Sequence, residues 1–136
     1  LLGDGEIEEG QVWEAFMFAH HYKLDNLCVI IDNNGLQIDG PVEQVMSSSP
    51  ILDKLTAFGF EAVEIDGHDY DALEGAFARA KTVKGTPFAI LMKTTKGKGV
   101  SFMENQVGWH GKAPSDEQYG QAMAELKARL AELEAD

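Results

Sequence analysis

A single cysteine in 136 residues leaves no partner for an internal disulfide. Cys28 sits inside an apolar run, which agrees with a cytoplasmic chain. Cations are scarce, with 11 Lys and Arg against 23 Asp and Glu and a net charge of −12. Nucleic acid is therefore excluded as a partner class, because a phosphate backbone needs clustered cations. No stretch approaches the roughly 20 apolar residues of a membrane span, so no membrane is expected either. No signal peptide, internal repeat or low-complexity segment is visible in these residues. The four histidines have no zinc spacing. What is there is 44% apolar and 25% charged, the balance of a globular chain of one domain or part of one.

Leu1-Leu2 reads as the tail of a buried strand. Residues 9–22 carry Val12, Ala15, Phe16, Ala19 and Tyr22 at three- and four-residue steps, a helix pattern. Residues 27–31 (LCVII) form a short continuous apolar run, as in a strand buried on both faces. Ser49-Pro50 opens a helix of about ten residues with Pro50 at its first position, closing near Gly59. Residues 60–65 give the next strand. A helix over 69–84 follows, ended by Gly85. Residues 88–92 are a further apolar strand, and 97–114 look irregular. Ser115 with Gln118 has the pattern of a capping box that starts a last helix to about Glu134. Its Tyr119, Met123, Leu126, Leu130 and Leu133 form a stripe that would dock on the domain or on a partner. Alternating strands and helices predict an α/β class with a mainly parallel sheet flanked by helices.

Chemistry gathers at two strand ends. Gly3-Asp4-Gly5 follows the first strand, and Asn34, in Asp32-Asn33-Asn34-Gly35, lies 30 residues beyond Asp4 (34 − 4). An acid and an amide at the carboxyl ends of neighbouring parallel strands can share one hard cation. Taken alone, Gly-Asp-Gly is a strand-to-helix turn, and Asn33-Asn34-Gly35 is a tight turn of residues that accept positive φ. The surrounding segments GDGEIEEGQVWEAFMFAHHYKLDNL, IDNNGLQIDG, IDGHD and KGKGVSFMENQVGWHGKAP narrow the choice. Over nearly its whole length the chain resembles transketolase, most closely the short amino-terminal subunit of two-part transketolases.

The resemblance implies a thiamine-diphosphate-binding fold, here the carboxy-terminal portion (1–136) of a diphosphate-type domain. It implies transfer of a two-carbon ketol unit between sugar phosphates with thiamine diphosphate and a divalent metal, Mg²⁺ or Ca²⁺. By that likeness Asp4, Asn34 and the Leu36 carbonyl ligate the metal, and the Gly5 amide faces the diphosphate. Ile38 packs against the cofactor rings; ordinary core is its other reading. Glu9 and Glu14 belong to a network between paired cofactor sites, although acids near a helix start also suit its dipole. His110, in WHGKAP, contacts the diphosphate and the substrate, with Lys112 inserted relative to an HGAP-like segment; its other reading is a plain loop histidine. His110 and Glu14 are thus the catalytic expectations. His68 is read as a cap. One of His20 and His21 is read as buried or at an interface, the other as solvated. Lys93, Lys96 and Lys98 receive no role.

The implied partners are a carboxy-terminal subunit carrying the pyrimidine-binding domain and a second copy across the cofactor interface. Part of the domain is expected upstream of Leu1, and the acidic end reads as a natural terminus. The chain alone is expected to be inactive. Two alternatives stand: a fragment of 1-deoxyxylulose-5-phosphate synthase, which shares the GDG and WHG-like segments, or of another thiamine enzyme, and a non-catalytic stray domain.

Overall fold

A computed structural model describes residues 1–135. It divides into two compact units, the first Leu1–Thr94 and the second beginning at Thr95.

The first unit is built on a four-stranded, wholly parallel sheet: β1 (Leu2–Gly3), β2 (Cys28–Asn33), β6 (Phe88–Lys93) and β5 (Glu61–Asp66), in that spatial order. Parallel neighbours need long crossovers, and helices supply them. The expected strands are all present, with ends displaced by one or two residues. Helices α1 (Gly10–His21) and α3 (Ile51–Ala57) cover one face. There Phe16, Ala19, Ile51 and Leu55 pack with Val29, Ile31, Ala89 and Leu91. Helix α4 (Tyr70–Thr82) covers the other, where Ala76 and Val83 meet Phe88 and Ile90. Alternate residues of β2 and β6 thus enter different cores, which is why both strands read as unbroken apolar runs. Trp13 closes the first core at one side, stacking on Phe16 and Phe58 at 5.5 and 5.0 Å between ring centres.

Several local expectations need correction. Pro50 is the cap of α3 rather than its first residue, because its ψ of 116° is extended; the helix has seven residues. It ends in a Schellman arrangement: Phe60 N–H donates to the Leu55 carbonyl, Gly59 N–H to that of Thr56, and Gly59 takes φ +83°. Asp69, not His68, caps α4: its carboxylate accepts from Asp71 and Ala72 N–H. That helix stops at Thr82, two residues early, because Val83 is extended. His20 and His21 are both exposed, and His20 Nδ1 lies 3.1 Å from the Gly59 carbonyl. After β2 comes a hairpin the sequence does not announce, β3 (Leu36–Gln37) against β4 (Gly40–Pro41), then the single-turn α2 (Val42–Val45).

In the second unit, residues 95–115 are turns with one 3-10 turn at Val107–Trp109, followed by α5 (Asp116–Leu133). The capping box at Ser115 and Gln118 forms in both directions. The Glu125 carboxylate fastens the loop to the helix by accepting from Ser101 N–H and Oγ–H, each at 2.7 Å. Trp109 packs on Phe102 and donates to the Phe102 carbonyl at 3.0 Å. On the α5 stripe, Tyr119, Leu126, Leu130 and Leu133 remain exposed.

Candidate metal and cofactor site

All four parallel strands end at one edge of the sheet, where open α/β sheets place ligands. Register aligns Gly3 with Asp32 and Asn33 with Lys93, so Asp4, the Asn33–Asn34 turn and Lys93 follow one another along that edge. Asp4 is tied to it by its own N–H, which donates to the Asp32 carbonyl at 3.1 Å.

Asp4 is the distinctive group. It is 1% exposed, yet none of the ion pairs among the described residues involves it. Its Oδ2 accepts from Gly35 N–H at 2.5 Å. With the Asn33 amide oriented to satisfy both its neighbours, Oδ2 also accepts from Asn33 at 3.1 Å. Burial pushes the carboxyl pKa up; main-chain N–H donors of Gly35 and Gly5 pull it down, and the nearby Asp32 charge raises it again. Asp32 is itself bonded by the Thr94 hydroxyl.

The second loop folds onto the first. Gly35 adopts φ +76°, which turns the chain after β2 and aims its N–H at Asp4. Asn34 Oδ1 accepts from Leu36 N–H at 3.0 Å, an Asx turn. Gln37 lies so close that a Cβ on Gly5 would stand 2.8 Å from the Gln37 Cβ, and Gln37 Nε2 donates to Glu8 at 2.8 Å. Gly5 is therefore required by close approach. Asp4, Gly5, Asn34 and Leu36 are thus brought together.

The remaining expectations fall elsewhere. Ile38 is 66% exposed in the hairpin turn, so the ordinary-core reading does not hold. Glu9 occupies the N-cap position of α1 without a capping bond, and Glu14 lies one turn on; both are exposed. Glu6 and Glu8 sit in a separate 3-10 turn ahead of α1, with Glu6 accepting from Gly3 N–H at 2.6 Å. His110 belongs to the second unit, exposed at the end of its 3-10 turn. Nearby, Lys112 lies 5.2 Å over the Trp109 ring. Sequence reasoning missed Asn33 and Lys93 at the edge, since their pairing exists only once the strand register is known.

The sequence matches the family described as transketolase, thiamine diphosphate binding domain, over residues 1–131. The chain belongs to this transketolase family. It is 43% identical to an apulose-4-phosphate transketolase subunit from Phocaeicola vulgatus over 136 residues, covering 100% of this chain and 48% of that protein. It is 42% identical to the 6-deoxy-6-sulfo-D-fructose transketolase subunit SqwG of Clostridium sp., covering 93% of this chain and 46% of the relative. The chain thus spans about half the length of these curated relatives. Among solved structures, Campylobacter jejuni transketolase superposes with a TM-score of 0.84 at 34% identity, over 93% of this chain and 20% of that one. No helix among the described residues of this transketolase-family chain is long and apolar enough to cross a membrane.

The donor set can be tested against the metal that the family implies. Among the described residues no cluster of three or more His, Cys, Asp or Glu could hold an ion. The edge instead offers the Asp4 carboxylate with that of Asp32 nearby, the Asn34 amide oxygen and main-chain carbonyls, all hard oxygen donors. Such a set suits Mg²⁺ or Ca²⁺ completed by the anionic oxygens of a ligand rather than an all-protein cage. A buried carboxylate with no direct cationic partner fits it.

Proposed function

We propose that this chain forms the diphosphate-anchoring part of a two-subunit transketolase acting on sugar phosphates. The observation that carries the reading is the buried Asp4 carboxylate, hydrogen-bonded but in no ion pair among the described residues, in the same turn pair as Asn34 and Leu36. Asp4, Asn34 Oδ1 and the Leu36 carbonyl would hold Mg²⁺, with Ca²⁺ tolerated, and Gly5 would let the diphosphate approach the main chain. Thiamine diphosphate, when bound, supplies the electron sink for bond making and breaking beside a ketose carbonyl.

The chain's own contribution is to bind and orient. Exposed Ile38 offers an apolar surface to the cofactor rings. His110 would contact the diphosphate and orient or exchange a proton with a substrate oxygen. Glu9 and Glu14, exposed along α1, would join the network between paired sites, which implies self-association there. The partner is a carboxy-terminal subunit carrying the pyrimidine-binding domain. Two relatives being named as subunits supports that arrangement. The cytoplasm is the expected location, and residues 1–136 would form the carboxy-terminal portion of a diphosphate-type domain.

The test is a coupled ketol-transfer assay with Mg²⁺ and thiamine diphosphate, on the chain alone and with the partner subunit. Turnover is expected only in the assembled enzyme, and Asp4→Ala should abolish Mg²⁺-dependent cofactor binding. Near-normal cofactor affinity in that variant would overturn the anchoring role. Robust turnover by the chain alone would overturn the two-subunit reading.

A further inference from the structure

We propose that Asn33 and Lys93 are positioning residues that fix the Asp4 carboxylate for a cation without neutralising it, an inference that rests on the anchoring reading above. The register puts Asn33 and Lys93 opposite each other as the last residues of β2 and β6. With the Asn33 amide in the orientation that satisfies both neighbours, it donates to Asp4 Oδ2 at 3.1 Å, and its oxygen accepts from Lys93 Nζ at 3.3 Å. Lys93 Nζ lies 3.7 Å from Glu64 on β5. A polar row therefore crosses the sheet from the end of β1 to β5: carboxylate, amide, ammonium, carboxylate.

Each link has a chemical consequence. Asn33 and Gly35 both donate to Oδ2, so two donors from different directions fix the plane of the carboxylate, and Oδ1 carries neither of those bonds. The ammonium polarises the Asn33 amide and strengthens its donation, as neighbouring links in a hydrogen-bonded chain do. A lysine in direct contact with Asp4 would instead compete with a metal for the carboxylate. One amide between them keeps the favourable field and leaves the acid available. Glu64 draws Lys93 towards β5, on the side away from Asp4. Sequence spacing shows none of this and gives Lys93 no role.

The experiment measures thiamine diphosphate affinity by tryptophan fluorescence and calorimetry in the assembled enzyme, with and without saturating Mg²⁺. The variants are Asn33→Leu, Lys93→Met, Lys93→Arg and Asp4→Ala, and thermal melting is recorded for each. Residues that orient a metal ligand typically matter by 10- to 100-fold in metal affinity. Asn33→Leu is expected to weaken the Mg²⁺-dependent affinity by about 10-fold or more. Lys93→Met should weaken it measurably, and Lys93→Arg should restore it, with metal-independent binding unchanged throughout. The Lys93 side chain is 58% exposed, so its replacement tests the idea even if Asn33→Leu does not fold. Wild-type Mg²⁺ dependence in Lys93→Met, or loss of melting temperature alone, would overturn the proposal while Asp4→Ala still loses binding. If Asp4→Ala itself binds normally, the anchoring reading fails with it.

Discussion

Replacing Asp4 separates its two tasks, because its charge and its acceptor oxygens do different things. Asp4→Ala removes the acceptor for Gly35 N–H and for the Asn33 amide. A bond to a charged group is worth about 1.5–3 kcal/mol, and an orphaned buried donor costs about 1–3 kcal/mol. Gly35 is exposed and Asn33 half-buried, so water can replace part of both bonds. A net loss of about 1–3 kcal/mol follows. Asp4→Asn keeps an acceptor of the same shape and removes a charge that burial disfavours. Its stability should lie within about 1 kcal/mol of the parent, or above it. Both variants lose the anionic donor and should fail in Mg²⁺-dependent cofactor binding. Urea denaturation gives the stabilities and fluorescence titration the affinities. Equal destabilisation by Ala and Asn would refute the charge argument.

Other perturbations are as specific. Gly5→Ala should push β3 and Leu36 away from Asp4, weakening Mg²⁺-dependent binding and costing about 1–3 kcal/mol, read by the same titration and melts. Gly59→Ala would drive its Cβ into the His20 ring and holds φ +83°, so a loss of about 2–4 kcal/mol is expected. Adding His20→Ala should recover only the clash, and full recovery in denaturation curves would argue against backbone strain. Asp69→Ala removes two capping bonds from α4 and should cost about 1 kcal/mol. Bonds from Ser101 and Gln121 hold the Glu125 carboxyl below its ordinary value. Its stabilising contribution is therefore present above the ordinary glutamate range and lost as pH falls through the lowered value. The Ser101 amide should lose hydrogen-exchange protection on acidification, and unchanged protection would refute the clasp.

The sheet was legible because buried parallel strands need apolar residues on both faces, which residues 27–31 and 88–92 supply without interruption. The capping box at Ser115 was legible because both of its partners lie three residues apart. The β3–β4 hairpin was not: two-residue strands carry no periodicity, and Gly40-Pro41 reads as punctuation. Asp4 and Asn34 could be singled out, but not the burial of Asp4 or the Gly35 bond that joins the two turns. Asn33–Lys93 was invisible for a related reason. The residues are 60 apart in sequence (93 − 33) and meet only through strand register.

The turn at Asn34 shows why its structural and ligand readings do not compete. Asn34 Oδ1 already accepts from Leu36 N–H, and that bond shapes the turn. An amide oxygen has two lone pairs, so one bond leaves a second site for a cation. The Asx turn also fixes the course of the chain through Leu36, whose carbonyl is the next proposed donor, while Gly35 φ bends the main chain back to Asp4. The same bonds that make a tight turn would thus preorganise the proposed oxygen donors for a metal. Ordering them in advance lowers the entropic cost of binding, and preorganisation adds affinity by that route. A metal site built this way would need little charge from the protein, which fits an edge whose buried acid joins none of the ion pairs among the described residues.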